Sequence, residues 1–153
     1  MARRFLRRRT LVIASIIVAL SVGIVFASIP YLPRPPARTI QAPITHDIRG
    51  GSQNNPGVFS VLLQGVSNND NFAIGVNVIN GIATFCVMPE SNYLSWFFRN
   101  STGGIPFSFD SCILNQQTSQ TTLRFTPNGQ GNWDLVAVNT NSQMITVDYT
   151  PAS

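Results

Sequence analysis

The sequence of 153 residues predicts an all-β fold, an antiparallel β-sandwich of about seven strands, preceded by one N-terminal transmembrane helix and a proline-rich linker. Three observations lead to this prediction. A block of arginines is followed by a long uncharged run, a cluster of prolines comes next, and the rest of the chain alternates short β-branched and aromatic runs with polar turns.

The first element is a basic segment, residues 1–9, that leads directly into the uncharged and mostly apolar run Thr10–Ile29. A helix rises about 1.5 Å per residue, so this run covers roughly 30 Å, the thickness of a bilayer's hydrocarbon core. Because arginines resist translocation, we expect the N-terminus in the cytoplasm and the C-terminal domain outside it, with the chain crossing the cell membrane once. The topology determinants are Arg3, Arg4, Arg7, Arg8 and Arg9.

Whether this segment is kept as a signal anchor or removed as a signal peptide is a separate question. Val25-Phe26-Ala27 fits the small-x-small pattern before a signal-peptidase cut, and cleavage after Ala27 would release a secreted domain. The apolar block is long for a signal peptide, however, and no short polar stretch precedes the cut. We therefore expect an anchor. Twin-arginine export through Arg8-Arg9 is a weaker alternative because the usual polar lead residue is missing.

Residues 30–43 hold half of the ten prolines in the chain. Proline favours the extended polyproline II conformation, so this segment is predicted to be a semi-rigid stalk of about 3.1 Å per residue. A stalk suits an anchored domain better than a secreted one. The exported domain is then assigned to residues 44–153.

The net charge of +4 and the pI of about 9.8 describe the anchor rather than the domain. Seven of the ten basic residues lie in residues 1–38, where no acidic residue occurs. Residues 39–153 hold three arginines, Arg49, Arg99 and Arg124, against six acidic residues, a net charge of −3. Three dispersed arginines cannot form a face that neutralises phosphates, so no nucleic-acid partner is expected.

The domain is predicted to consist of short strands joined by polar turns. Asn80-Gly81 is the strongest hairpin signal and is predicted to pair the strands on either side of it. Short polar turns also separate the last three strands, which we expect to be antiparallel neighbours. The predicted strands are Val58–Leu63, Phe72–Val78, Ile82–Met88, Ile105–Leu114, Thr121–Thr126, Trp133–Asn139 and Met144–Tyr149.

Pro89–Phe98 departs from the strand pattern and is predicted to form a helical turn. Its aromatic residues Tyr93, Trp96 and Phe97 have two readings. At helical spacing, they are expected to cap the open end of the sandwich core. Alternatively, they form an exposed platform on which sugar rings stack, because their flat rings suit that contact.

Cys86 and Cys112 are the two cysteines of the chain and belong to a domain predicted to be exported to an oxidising space. We expect a disulfide between them, with two free buried thiols as the alternative. Closing a loop of about 27 residues stabilises the domain by roughly 3.5 kcal/mol in the chain-entropy model.

No enzyme chemistry is predicted, because His46 is the only histidine and lies at the edge of the linker. Blue-copper and zinc sites need more histidine or cysteine ligands, and a serine hydrolase needs a histidine base. Nothing in the spacing of the six acidic residues brings two carboxylates together. No cofactor and no metal are therefore expected. Ser67–Asn71 could offer oxygens to calcium but fits an Asx-turn better.

Asn100-Ser101-Thr102 is the only N-x-[ST] sequon, and Asn100 is therefore the candidate glycosylation site of an exported protein. A chance match is the competing interpretation, because asparagine, serine and threonine are all frequent in this chain.

Four segments of the C-terminal half resemble the closing strands of GOLD-like and bacterial pre-peptidase C-terminal β-sandwich domains. They are Tyr93–Trp96, Thr122–Pro127, Gly131–Asn139 and Ile145–Tyr149. The resemblance implies an extracytoplasmic interaction module without catalysis, and it transfers no functional residue.

The sequence therefore predicts a membrane-anchored interaction module that binds a protein or glycan partner outside the cytoplasm. An accessory single-span subunit of a larger membrane complex is the alternative role. A secreted domain, released by cleavage after Ala27, is the second alternative.

Overall fold

The computed structural model of the chain describes Ile40, residues 43–100 and residues 105–151. The arginine block, the predicted transmembrane helix and nearly all of the predicted stalk lie outside the described residues. Among the residues that are described, no helix is long and apolar enough to cross a membrane.

The described residues form eight strands and one helix, with all strand pairs antiparallel. Sheet A has the strand order β1-β8-β3-β6, and sheet B has the order β2-β7-β4-β5. The predicted antiparallel β-sandwich is thus confirmed, with one strand more than expected. The elements are β1 (Ile44–Ile48), β2 (Gly57–Val66), β3 (Phe72–Ile79), β4 (Ala83–Pro89), α1 (Glu90–Asn100), β5 (Leu114–Thr118), β6 (Gln120–Phe125), β7 (Gly131–Asn139) and β8 (Ile145–Pro151).

The strand order is that of an eight-stranded jelly roll, in which the chain crosses repeatedly between the two sheets. The hairpin predicted at Asn80-Gly81 is therefore wrong. Asn80 does make a tight turn, with φ at +67°, but the turn passes from β3 in sheet A to β4 in sheet B. The last three strands are not neighbours either, because β7 lies in sheet B, between β2 and β4, whereas β6 and β8 belong to sheet A.

One predicted strand is absent and two strands were not predicted. Residues 105–112 form no strand, because Asp110 and Ser111 lie in a turn closed by a hydrogen bond from the Cys112 N–H to the Phe109 oxygen. The edge strands β1 and β5 were missed because their sequences, ITHDI and LNQQT, hold few apolar residues. Edge strands tolerate such polarity because one side of each remains open to solvent.

The main core fills the space between the two sheets. Fully buried side chains from both sheets meet there, among them Ile74, Leu123 and Tyr149 from sheet A and Phe85 and Leu135 from sheet B. Alternate residues of β3 point into this core, which explains the period-two pattern of its sequence.

A second, smaller core lies on the outer face of sheet B. Cys86 and Met88 of β4 and Val136 and Val138 of β7 point outward there, and they are buried because α1 and residues 105–112 cover them. Both faces of these two strands are thus buried, and the chain forms a third layer over one half of the sandwich. The candidate site lies in this layer.

Candidate functional site

Helix α1 brings the three aromatic residues together on the outer face of sheet B. Tyr93, Trp96 and Phe97 follow the i, i+3, i+4 spacing that places side chains on one face of a helix. Glu90 in the first turn and Arg99 in the last turn oppose the partial charges of the helix ends. The helix spans eleven residues, which is longer than the single turn predicted from sequence.

Trp96 anchors the helix. Its side chain is buried in the smaller core, and its indole Nε1 donates a hydrogen bond of 3.1 Å to the carbonyl oxygen of Pro106. The Phe107 ring meets the Trp96 ring edge to face, with centroids 4.9 Å apart. Trp96 therefore has a core role, although in the outer layer and not at the open end of the sandwich.

Tyr93 and Phe97 are less buried than Trp96. Their ring centroids are 6.0 Å apart, and Phe97 keeps 51% of its surface exposed. Of the two properties expected of these aromatic residues, burial applies to Trp96 and exposure applies to Phe97. Trp96 fixes the helix, while Phe97 presents an accessible ring.

The aromatic face of α1 forms one wall of a cleft of about 320 Å³. This volume is at the lower end of the range of roughly 300–1,000 Å³ for small-molecule sites. The opposite wall comes from the segment between β1 and β2 and from the start of β2. The lining residues are Arg49, Pro56, Val58, Tyr93, Trp96, Phe97 and Asn100.

The cleft lies at the end of the sandwich where β1 stops and β2 begins. Strand β1 starts at the opposite end, where Ile44 pairs with Tyr149 near the end of β8. Strand β1 therefore begins at one end of the sandwich, and Arg49, the residue that follows it, lines the cleft at the other.

Arg49 brings a positive charge to the cleft. Its Nη2 donates a hydrogen bond of 3.2 Å to Oδ1 of Asn55, which restrains the guanidinium. Its backbone is held by the fully buried Asn139, whose Nδ2 donates to the Arg49 carbonyl oxygen at 3.0 Å. The same amide nitrogen also reaches the carbonyl oxygens of Ile48 at 3.4 Å and Gln143 at 2.8 Å.

Sequence reasoning missed Arg49, Pro56, Val58 and Asn139 as parts of this site. Arg49 and Val58 lie more than thirty positions before the aromatic residues of α1, and no local pattern links the two segments. Only the pairing of β2 with β7, in which Val58 faces Val138, brings the start of β2 beneath the helix.

Asn100, the candidate glycosylation site, is the last residue of α1 and lines the cleft. Its Oδ1 accepts a hydrogen bond of 3.2 Å from the Ile105 N–H, which orients the amide. A glycan joined to its Nδ2 would therefore begin at the wall of the cleft.

The disulfide between Cys86 and Cys112 ties the outer layer to sheet B. The two Cα atoms are 5.4 Å apart, within the usual range for a disulfide, and the sulfur atoms are bonded as the sequence predicts. Because residues 105–111 precede Cys112 directly, the bond holds the segment that covers Trp96.

Asp134 of β7 is a buried carboxyl group on the same outer face, close to the start of α1. Burial raises the pKa of Asp134 to about 6, a hydrogen bond from Ser60 opposes this rise, and the nearby Glu90 adds to it. Its Oδ2 has no hydrogen-bond partner among the described residues. Burial thus disfavours the ionised carboxylate, and Asp134 keeps its proton up to about pH 6, above the usual range of an aspartate.

Tyr149 carries the other buried polar atom without a described hydrogen-bond partner, its hydroxyl oxygen. Burial raises the pKa of this hydroxyl. The Tyr149 ring lies between Phe59 and Phe85 in the main core, with centroid distances of 6.1 and 6.3 Å, so the residue is part of the packing rather than of the cleft.

The remaining sequence candidates lie away from the cleft lining. His46 stacks on Phe59 with ring centroids 3.7 Å apart. In Ser67–Asn71, Asp70 Oδ2 accepts from the Ser67 N–H at 3.0 Å, which closes a turn. Within the described part of the chain, no group of three or more histidine, cysteine or acidic residues is arranged to hold a metal ion. The arginines of residues 3–9 lie outside that part.

No family model matches this sequence, and no curated protein matches it either. Interpretation of the site therefore depends on its geometry and chemistry.

Proposed function

We propose that this protein is a glycan-binding module without catalytic activity, held outside the cytoplasm by the single membrane span predicted at Thr10–Ile29. The cleft carries the proposal, because it combines aromatic rings on one wall with hydrogen-bonding side chains at its edges. The loose sequence resemblance to extracytoplasmic interaction domains agrees with this role, whereas a jelly roll alone implies no function.

The composition of the cleft suits a sugar. The ring of Phe97 is half exposed and beside Tyr93, and such rings offer flat apolar faces on which the C–H groups of a pyranose pack. Arg49 and Asn100, which also line the cleft, provide N–H donors for hydroxyl oxygens. A sugar needs both kinds of contact because its ring has apolar faces and a polar rim.

The position of the cleft also suits a displayed binding module. Strand β1 begins at the end of the sandwich opposite the cleft, with Ile44 as its first residue. A stalk ahead of this strand, as predicted from the prolines of residues 30–43, would connect the domain to the membrane span.

The test is a binding screen of the full chain in lipid nanodiscs against immobilised neutral and acidic oligosaccharides. We expect retention on at least one glycan class, and Phe97→Ala should weaken it about tenfold through loss of stacking. Phe98→Ala is the matched control, because Phe98 is adjacent and more exposed but is not among the lining residues. Equal weakening by both substitutions, or retention on no glycan, contradicts the proposal.

A protein partner is the competing occupant of the cleft, and a crosslinking experiment tests for it. A photo-crosslinking phenylalanine analogue at position 97 would join the cleft to whatever covers it in native membranes. Crosslinking to one defined protein, together with no glycan retention, would assign the cleft to a membrane complex.

The anchor has its own test. The intact mass of the chain isolated from native membranes should include residues 1–29, and the chain should resist alkaline extraction. A mature chain that begins at Ser28 would contradict the anchor and favour the secreted form.

A further inference from the structure

We infer that the cleft selects a sugar that carries a carboxylate, and that Arg49 binds this group. This inference rests on the proposed glycan-binding function and specifies its ligand class. The supporting observation is the charge of the cleft, which is positive, whereas the net charge of the domain is negative.

The domain has a net charge of −3, but the described residues that line the cleft include Arg49 and no acidic residue. The acidic side chains lie elsewhere. Asp47 and Asp148 accept hydrogen bonds from threonines on sheet A, Asp70 and Asp110 lie in turns, and Glu90 and Asp134 lie at the other end of α1. Arg49 therefore faces the cleft with its charge uncompensated by a lining residue.

The geometry of the Arg49 guanidinium also suits a carboxylate ligand. Its described hydrogen bond to Asn55 engages Nη2, and a guanidinium has five N–H donors in a planar fork. The fork matches the two oxygens of a carboxylate, and this pairing is stronger than a hydrogen bond between neutral groups. Because Asn139 holds the Arg49 backbone and Asn55 holds its guanidinium, less conformational freedom is lost on binding.

One effect opposes an anion here. The cleft adjoins the C-terminal end of α1, which carries a partial negative charge of roughly half a unit. Arg49, which also lines the cleft, carries a full positive charge, about twice that partial charge. The local balance therefore still favours a negatively charged ligand.

The residues that line the cleft provide a contact for each part of the ligand. The carboxylate pairs with Arg49, and the apolar face of the pyranose packs on the accessible ring of Phe97. A ring hydroxyl accepts from Nδ2 of Asn100, whose Oδ1 is already engaged by the Ile105 N–H. Uronic acids and sialic acids both have the required carboxylate.

The experiment compares matched ligand pairs with the full chain in nanodiscs. Oligogalacturonate is compared with the same oligomer after reduction of its carboxylates to alcohols, and sialyllactose with lactose. We expect the acidic member of at least one pair to bind at least about tenfold more tightly, with an affinity that falls as salt rises. The pair that shows the preference identifies the source of the carboxylate.

Arg49→Gln should abolish the preference for the acidic member, while Arg124→Gln, at an exposed position of β6 in the other sheet, should retain it. Equal affinity for acidic and neutral members contradicts the carboxylate inference and leaves the glycan-binding proposal intact. Binding of no oligosaccharide contradicts the proposed function itself.

Discussion

The ring of Trp96 meets the ring of Phe107 at 68° with 4.9 Å between the centroids, and this contact joins α1 to the segment that follows it. Both residues are buried in the smaller core, over the outward-facing side chains of β4 and β7. The aromatic wall of the cleft therefore depends on packing in a layer outside the main sandwich.

Trp96→Ala should destabilise this layer strongly. Removal of a buried tryptophan side chain costs about 3–5 kcal/mol, and the Pro106 oxygen also loses its donor. Thermal unfolding of the full chain in mild detergent, followed by the fluorescence of Trp133, measures the loss. Phe98→Ala is the control, because Phe98 is 67% exposed and its removal should cost less than about 0.5 kcal/mol. A Trp96→Ala variant as stable as this control would contradict the anchoring role.

Loss of the disulfide should act on the same layer. Replacing Cys86 and Cys112 together by alanine frees a loop with a sequence separation of 26 and should lower the free energy of unfolding by about 3.5 kcal/mol. Reduction of the wild-type protein should produce a similar shift in thermal unfolding, which serves as the internal comparison. An unreduced intact mass equal to the reduced mass would show that the bond is absent in the isolated protein.

Local patterns predicted the strands well but not their partners. The alternation of Phe72, Ile74, Val76 and Val78 correctly gave β3 because it reports which residues are buried. The turn at Asn80-Gly81 was also real. Its conformation does not determine whether the next strand returns beside β3 or crosses to the other sheet, since that choice depends on contacts with β6 and β8, which are distant in sequence.

Residues 105–112 show a second limit of pattern reading. Ile105, Phe107 and Phe109 alternate with polar or small residues as they would in a strand. They all pack into or against the smaller core on the outer face of sheet B, and no strand forms. A half-buried extended segment and a strand thus produce the same sequence pattern. Only their backbone hydrogen bonds distinguish the two.

About half of the candidate site could be predicted from the sequence. Tyr93, Trp96 and Phe97 were recognisable because helical spacing and aromatic character are local properties. Arg49 was not, because an isolated arginine after a short polar strand has no distinguishing neighbours in the sequence. The opposite wall of the cleft forms because the register of the sheet brings together residues that are distant in sequence.

Asp134→Asn should change how stability depends on pH. The folded state retains the proton of Asp134 up to about pH 6, while the unfolded chain releases it near 3.8, so the folded state binds more protons between these values. The contribution of Asp134 to the free energy of unfolding therefore falls as pH rises from about 4 to 6, by about 2–3 kcal/mol.

The asparagine variant lacks this titration. It should match wild type near pH 4 and exceed it in stability at pH 7, which thermal unfolding across that range would reveal. Asp110→Asn, at an exposed turn, retains Asp134 and should follow the wild-type profile. A difference between Asp134→Asn and wild type that does not vary with pH would contradict this assignment.

Asn139→Ala should destabilise the cleft end of the sandwich. The Asn139 side chain donates to the carbonyl oxygens of Ile48, Arg49 and Gln143, and its Oδ1 accepts from the Asn141 N–H at 3.0 Å. Alanine removes these hydrogen bonds at a buried or partly buried position, at a cost of about 2–4 kcal/mol.

The neighbouring Asn141→Ala provides the matched control. Its exposed amide makes a single described hydrogen bond, to the Ile82 oxygen at 3.1 Å, so its removal should cost less than about 1 kcal/mol. Asn139→Asp should be worse than alanine, because a carboxylate would face three carbonyl oxygens. Thermal unfolding of the three variants orders them, and glycan binding by any folded Asn139→Ala protein should be weakened because the Arg49 backbone is no longer held. If Asn139→Ala proves as mild as Asn141→Ala, the buried amide does not organise this end of the fold.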